Sequence, residues 1–166
     1  MNTKNNPSIF IVEDNTMYAA LLKRELEKNN YNNISTFSTG EECLAHLSDC
    51  PDIILLDHQL EGQLNGIDVL RKIKSLNRNI KTIFLTAHTK LDLALDALRN
   101  GAYDYVIKNE IAFYNVKIMI NNIWQALKQF REERIARRFQ YGILSSISVI
   151  AVFSLWLQMN YPQLME

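Results

Sequence analysis

An unbroken apolar run of strand length ends on a carboxylate at Ile53-Ile54-Leu55-Leu56-Asp57. Three further runs have the same form, and a polar or charged side chain closes each of them. They are Ile9-Phe10-Ile11-Val12-Glu13-Asp14, Ile83-Phe84-Leu85-Thr86 and Tyr105-Val106-Ile107-Lys108. Continuous apolar runs are typical of strands that are buried on both faces, so the pattern predicts a parallel sheet covered by helices.

Segments with helical periodicity separate these runs. Apolar positions recur at helical spacing in residues 16–29, 67–76 and 90–100. A capping box, with Thr39 as the cap and Glu42 reaching back, predicts the start of another helix. We also expect a short strand within residues 32–37 and a fifth helix from about Glu110. This alternation predicts an α/β fold, a doubly wound five-stranded parallel sheet of the flavodoxin-like type.

Ligands of such sheets bind outside the carboxyl ends of the strands. The side chains that end the four runs would therefore meet in one crevice: Glu13, Asp14, Asp57, Thr86 and Lys108. Three carboxylates, a hydroxyl and an ammonium group suit a hard cation together with a phosphoryl group. The sequence thus predicts a pocket that binds a phosphoryl group together with a hard cation.

The order and spacing of these motifs resemble the receiver domain of bacterial two-component response regulators. The resemblance runs from about Ser8 to about Gln129, and four motifs carry it. They are the pair Glu13-Asp14, the run from Pro51 to Asp57, Thr86-Ala87 and Gly101-Ala102-Tyr103-Asp104-Tyr105-Val106-Ile107-Lys108. The resemblance implies a phosphoacceptor rather than an enzyme, supplied with phosphate by a histidine kinase or a histidine phosphotransfer protein.

The resemblance also implies the chemistry of the acceptor. Asp57 would receive the phosphoryl group, and Glu13, Asp14 and Asp57 would bind Mg²⁺ with the backbone carbonyl of Gln59. A carboxylate is a poor nucleophile unless a cation neutralises the phosphoryl oxygens that it approaches. Clustered carboxylates repel one another, which favours a divalent cation between them.

Lys108 and Thr86 would each contact a phosphoryl oxygen, as a point charge and as a hydroxyl donor. In the family the threonine moves toward the phosphate while an aromatic residue of the last strand turns inward. Tyr105 occupies the aromatic position, so the resemblance implies a switch made of Thr86 and Tyr105. The alternative for Tyr105 is an ordinary sheet aromatic whose hydroxyl reaches solvent.

The sequence departs from the family pattern around the pocket. Asn109 follows Lys108 where proline in a cis bond is usual, and a cis bond without proline costs about 2.5–4 kcal/mol, so we expect a trans peptide. Glu61 stands where proline is common in the loop after the acceptor. His58 and His88 flank the pocket, so a zinc site with histidine ligands is a minor alternative. The nearby carboxylates suit a harder ion better.

Residues 142–159 contain no charged side chain and predict a transmembrane helix. About 18 residues of helix span about 27 Å, close to the thickness of a bilayer's hydrocarbon core. Four arginines precede the segment and only Glu166 is charged after it, which places the receiver in the cytoplasm. We therefore expect a single-pass protein at the cytoplasmic face of the inner membrane.

The predicted division of the chain follows from these segments. It comprises a disordered N-terminus at 1–7, the receiver at 8–129, a basic juxtamembrane helical segment at 130–141, the transmembrane helix at 142–159 and a short tail at 160–166. The 18 basic and 18 acidic residues balance, so no overall charge favours nucleic acid as a partner. Cys43 and Cys50 are read as reduced thiols of a cytosolic domain.

Together these features predict a membrane-tethered receiver that signals through a shape change to an unknown output protein. The alternative is a soluble receiver-type scaffold or dimerisation module. In that case the apolar helix would associate with its own copy in a homodimer, through a small-residue face at Gly142 and Ser146. Solubility of the full chain without detergent would favour the alternative.

Overall fold

A computed structural model describes residues 6–87 and 91–160, with only the backbone described at 91 and 157–160. Five strands form one sheet in which every neighbouring pair is parallel. They are β1 (Ile9–Val12), β2 (Ile34–Phe37), β3 (Ile53–Asp57), β4 (Lys81–Thr86) and β5 (Asp104–Ile107). Their order in the sheet is β2-β1-β3-β4-β5. This is the doubly wound, flavodoxin-like sheet that the sequence predicts.

Helices alternate with the strands along the chain. They are α1 (Thr16–Lys28), α2 (Gly40–Ala45), α3 (Gly66–Leu76), α4 (Leu91–Arg99) and α5 (Ala112–Asn160), with a short 3₁₀ turn at Leu47–Asp49. The predicted helices are all present, and their ends differ from expectation by one or two residues. The fifth begins at Ala112 because Asn109 forms a turn first, with its carbonyl accepting from the backbone N–H of Ala112 at 3.0 Å.

The central strands are buried on both faces, as their continuous apolar runs predict. Every residue of β1 and β3 is buried. Phe10, Ile54 and Phe84 pack with Leu70 and Ile73 of α3 in one core cluster. The edge strand β2 is only partly covered, which explains its weaker apolar pattern in the sequence.

The start of α2 confirms one half of the predicted capping box and corrects the other. Thr39 Oγ1 accepts a hydrogen bond from the backbone N–H of Glu42 at 3.2 Å. The Glu42 carboxylate, however, accepts from the backbone N–H and the hydroxyl of Ser38, both at 3.1 Å, rather than from the cap residue itself. The donor residue, Ser38, therefore lies one position before the cap residue Thr39.

The chain divides into two compact units, Met1–Ile123 and Trp124–Glu166. The second is helical from 124 to 160, and its large apolar side chains from Ile143 to Trp156 are all exposed, by 51–68%. By length and composition alone, one described helix is apolar enough to cross a membrane, with a mean hydropathy of 1.5 over its best 18-residue window. Membrane crossing stays a prediction, as do the proposed segment boundaries. Most of the predicted disordered N-terminus and all but one residue of the tail lie outside the described residues.

Candidate functional site

Three carboxylates converge at the carboxyl ends of two neighbouring strands. Glu13 and Asp14 follow β1 directly, and Asp57 is the last residue of β3. One oxygen from each carboxylate lies within 4.8 Å of the others. Glu13 and Asp57 are almost completely buried, with 2% and 4% of their surface exposed, whereas Asp14 is partly open to solvent. The cluster has the donor set that Mg²⁺ prefers: several hard oxygens and room for water on one side.

Lys108 joins this cluster from the end of β5. Its Nζ atom lies 2.9 and 2.7 Å from the two Glu13 carboxylate oxygens and 2.9 Å from Asp57 Oδ1. The Lys108 backbone N–H donates to the Thr86 carbonyl at 2.7 Å, which fixes the start of the side chain. The ammonium group thus partly compensates two buried negative charges and contacts one oxygen of the Asp57 carboxylate.

Burial dominates the electrostatics of the two inner carboxylates. It raises the pKa of Glu13 and the pKa of Asp57, while the bond from Lys108 works against the shift in each case. The negative charges of Asp57 and Asp14 raise the pKa of Glu13 further. An excess of negative charge with little water around it creates a strong local demand for a cation.

The backbone after Asp57 is held tightly. The His58 N–H donates to Asp57 Oδ1 at 2.7 Å and to the Leu85 carbonyl at 2.9 Å. Gly66 then returns the loop, donating its N–H to the His58 carbonyl at 3.0 Å. A Cβ atom on Gly66 would lie 2.1 Å from the Asp57 carbonyl oxygen, so only glycine fits there. This role of Gly66 was not predicted from the sequence, although Asn65-Gly66 before an apolar helix is a visible signal for it.

Gln59 lies in the exposed loop between β3 and α3, two residues after Asp57. Its backbone carbonyl as a fourth metal ligand stays a prediction. His58 packs its ring against Phe84, with 5.7 Å between the ring centroids, and His88 lies outside the described residues. Within the described part of the chain, the candidate metal cluster contains carboxylates and no imidazole, which favours a hard cation over zinc.

The two candidate switch residues lie on neighbouring strands but not at neighbouring ends. Thr86 ends β4 and is buried, opposite Ile107 of β5. Tyr105 is the second residue of β5, opposite Phe84, and packs half-buried against the core cluster. Since Thr86 and Phe84 are two residues apart, Thr86 and Tyr105 share one face of the sheet along a diagonal. Tyr105 thus lies two residues before the end of β5.

Tyr18 is a pocket residue that the sequence analysis did not identify. Its ring lies on the Lys108 ammonium, with Nζ 4.7 Å from the ring centroid. Burial, followed by the charges of Glu13 and Asp57, raises the pKa of Tyr18 to about 12. The buried hydroxyl has no hydrogen-bond partner among the described residues. Tyr18 thus remains protonated at neutral pH beside the acidic cluster.

The peptide between Lys108 and Asn109 is trans, since no described peptide bond is cis. Asn109 instead uses its side chain, and its Oδ1 atom accepts from the Ile111 N–H at 3.1 Å. This bond and the carbonyl contact with Ala112 turn the chain into α5. The departure from the family's proline therefore leaves Lys108 in the pocket.

The comparisons with known proteins agree with this geometry. The family model of the response regulator receiver domain matches residues 9–120, and the chain belongs to this family. It is 32% identical over 124 residues to the luminescence regulatory protein LuxO of Vibrio campbellii, covering 74% of this chain and 27% of that protein. It is 29% identical over 133 residues to the transcriptional regulator NtrC of Salmonella typhimurium, covering 80% and 27%. The chain thus spans just over a quarter of the length of these curated relatives.

Solved receiver domains have the same fold. The signal receiver domain of a LuxO-type repressor protein from Vibrio parahaemolyticus superposes with a TM-score of 0.68 at 29% identity, covering 75% of this chain and 94% of that one. The receiver domain of the Francisella response regulator 1452 gives 0.66 at 24% identity, covering 74% and 99%. Receiver domains are phosphoacceptors rather than enzymes in the ordinary sense, typically use Mg²⁺ and interact with histidine kinases or phosphotransfer proteins.

Proposed function

We propose that Asp57 accepts a phosphoryl group from a histidine kinase or a histidine phosphotransfer protein. The observation that supports this most is that Asp57 lies 2.9 Å from the Lys108 ammonium and within 4.8 Å of the carboxylate oxygens of Glu13 and Asp14. Mg²⁺ bound by these three carboxylates and the Gln59 carbonyl would neutralise charge on the phosphoryl oxygens. The pocket would then hold a positive group on two sides of the incoming phosphate.

The hydrogen bonds of Asp57 distinguish its two oxygens. Oδ1 accepts from the His58 N–H at 2.7 Å and lies 2.9 Å from Lys108 Nζ, so its lone pairs are already engaged. We assign Oδ2 as the nucleophile. Its attack forms an oxygen–phosphorus bond as the bond from phosphorus to the donor's imidazole nitrogen breaks, and that nitrogen keeps the electron pair. The same arrangement would allow slow self-phosphorylation from small donors and slow hydrolysis.

The switch follows from the two residues on the shared sheet face. Thr86 would donate its hydroxyl to a phosphoryl oxygen, and the space that it leaves would allow Tyr105 to turn inward. Tyr105 is half-buried against the core, so an inward turn of its ring would bury the part that is now exposed. An output protein would read the change on the surface around Tyr105.

We further propose that the second unit tethers the receiver to the membrane in a single pass. Its large apolar side chains from Ile143 to Trp156 are exposed, with Ile150 at 66% and Phe153 at 57%. Serine hydroxyls in this segment donate to carbonyls of their own helix, at 2.8–2.9 Å for Ser145, Ser146 and Ser148. These bonds lower the cost of placing the hydroxyls in lipid. Arginines before the segment favour the cytoplasmic face.

A soluble dimerising module is the second candidate function. A shallow concavity of about 320 Å³ lies on the helix at Phe139, Gly142, Ile143 and Ser146, bordered by Arg138. Small residues at such a site let another helix approach closely. A full chain that stays soluble and dimeric without detergent would favour this candidate over the membrane tether.

Phosphorylation by a small donor tests the main proposal. The full chain in mild detergent should gain one phosphoryl group from phosphoramidate only when Mg²⁺ is present, and Asp57→Asn should not. Asp68→Asn is the matched control, because Asp68 is an exposed carboxylate paired with Arg71 at 3.5 Å. Equal incorporation in wild type and Asp57→Asn would reject the acceptor.

A further inference from the structure

Tyr18 reaches the pocket because of the way that α1 begins. Asn15 caps the helix, and its Oδ1 atom accepts from the Tyr18 backbone N–H at 3.0 Å. Tyr18 therefore stands in the first turn, and helical side chains lean toward the N-terminus of their helix. This direction carries the ring over the loop that holds Glu13 and Asp14.

The Tyr18 ring has two defined neighbours. The Lys108 ammonium lies 4.7 Å from its centroid, within the range of a cation–π contact. The ring of Phe113, at the start of α5, lies 5.3 Å from it at an interplanar angle of 54°. Phe113 therefore packs against the Tyr18 ring, and that ring lies against an ammonium whose side chain is only 15% exposed.

Lysine has a flexible stem and a strongly hydrated head, so its position in a pocket depends on its surroundings. Two carboxylates attract this ammonium, and Glu13 takes two of the three close contacts. A ring surface beside it restricts the remaining positions of Nζ to those near Glu13 and Asp57. An aliphatic side chain of similar size would fill the space but offer no electrostatic attraction.

We propose that Tyr18 is a positioning residue of the phosphorylation site, whose ring holds the Lys108 ammonium beside Asp57. The inference rests on the proposed acceptor function. The ring is the acting part, so phenylalanine at this position should serve nearly as well as tyrosine. Leucine should not, although it keeps most of the apolar bulk.

The test compares initial phosphorylation rates of the full chain in mild detergent, with phosphoramidate and saturating Mg²⁺. Tyr18→Leu should be slower by about three- to tenfold, the range that the loss of a partly buried cation–π contact allows. Its Mg²⁺ affinity should stay within about twofold of wild type, because Tyr18 is not among the carboxylates that bind the ion. Tyr18→Phe should recover most of the lost rate.

Tyr114→Leu is the matched control. Tyr114 is 59% exposed and carries its own lysine contact, with Lys117 Nζ 5.3 Å from the ring, yet it lies outside the pocket. Its rate should equal that of wild type. A wild-type rate for Tyr18→Leu, a Tyr18→Phe variant as slow as Tyr18→Leu, or a loss of Mg²⁺ affinity that matches the loss of rate would each overturn the inference.

A spectroscopic measurement decides the contact independently of phosphorylation. Protons on Cε of Lys108, observed in lysine-labelled protein and assigned with Lys108→Arg, should be shifted upfield by the ring in wild type and Tyr18→Phe. The shift should disappear in Tyr18→Leu, and its persistence there would reject the contact. Absence of label on wild type would instead reject the acceptor function and leave this signal unchanged.

Discussion

The Nζ atom of Lys108 lies 2.7 Å from Oε2 of Glu13, a residue 95 positions earlier in the chain. Glu13 therefore anchors the lysine, and it also belongs to the carboxylate cluster that could hold a metal ion. A divalent cation at the carboxylates would compete with the ammonium for Glu13, because like charges repel. We expect cation binding to release the Lys108 ammonium from Glu13, so that it can contact a phosphoryl oxygen on Asp57.

The first prediction concerns stability without Mg²⁺. Burial raises the pKa of Asp57 in the folded state, so protonation of this carboxylate stabilises the fold. This stabilisation is fully present below the ordinary aspartate pKa of about 3.9. It is lost as the pH rises through the raised pKa of the folded state. At pH 7 the ionised carboxylate opposes folding. Asp57→Asn should therefore raise the unfolding midpoint by a few degrees, since about 1 kcal/mol shifts it by about 2–8 °C in domains of this size.

Thermal unfolding followed by circular dichroism at neutral and mildly acidic pH measures this effect. The difference between wild type and Asp57→Asn should shrink as the pH falls toward the ordinary pKa of an aspartate. Asp68→Asn, at an exposed ion pair, should change stability by no more than about 0.5 kcal/mol. A variant less stable than wild type at neutral pH would show that Asp57 stabilises the apo fold instead.

The second prediction concerns the metal. Asp14 is partly exposed and belongs to the carboxylate cluster, while the contacts of Lys108 go to Glu13 and Asp57. Asp14→Ala should therefore leave the fold intact and weaken Mg²⁺ binding by about tenfold or more, which is at least about 1.4 kcal/mol. Calorimetric titration measures it, with the exposed Asp92→Ala as control. Unchanged affinity would exclude Asp14 from the metal site.

The third prediction concerns the switch. Thr86→Val removes the hydroxyl but keeps the shape, so Asp57 should still be phosphorylated while the Tyr105 ring no longer responds. Proton NMR of the Tyr105 ring with and without phosphorylation measures the response. Thr82→Val is the matched control on the same strand and face, since Thr82 is fully buried and its hydroxyl has no partner among the described residues. A wild-type response in Thr86→Val would contradict the coupling.

The fourth prediction concerns the membrane tether. An arginine near the centre of a transmembrane helix costs about 2.5–3.5 kcal/mol, against about 0.3–0.6 kcal/mol gained for each large apolar side chain. Full-length protein should stay in the membrane pellet after carbonate extraction, whereas Ile150→Arg should shift a large fraction to the supernatant. Ile135→Arg is the matched control, because Ile135 lies among the arginines before the apolar segment. Soluble wild-type protein would instead favour the dimerising module.

The local pattern predicts those parts of the fold and site that depend on neighbours in sequence. The run at Ile53–Asp57 encodes a strand buried on both faces, and its terminal carboxylate reaches the pocket because parallel strands end together. Strand β4 begins at Lys81, two residues before the apolar run that starts at Ile83. The apolar pattern does not include these first two residues, Lys81 and Thr82, because they are polar. Polar residues can belong to a strand when their backbone groups form hydrogen bonds with a neighbouring strand. The periodicity of apolar residues in the sequence contains no information about such pairing.

The missed residues depend on contacts that a linear pattern does not contain. Tyr18 meets Lys108 across 90 positions, and Gly66 meets the backbone of Asp57 through the return of an intervening loop. Both positions look ordinary in the sequence, an aromatic in a helix and a glycine before one. Their importance follows from how closely two segments approach in the folded chain.

The most direct measurement identifies the residue that carries the phosphoryl group. Full-length protein treated with phosphoramidate and Mg²⁺ is reduced with borohydride, which converts an aspartyl phosphate to homoserine, and its peptides are sequenced by mass spectrometry. We expect homoserine at position 57 and at no other aspartate, and none when Mg²⁺ is omitted. Homoserine at another position, or an unmodified position 57 in protein that has gained a phosphoryl group, would contradict it.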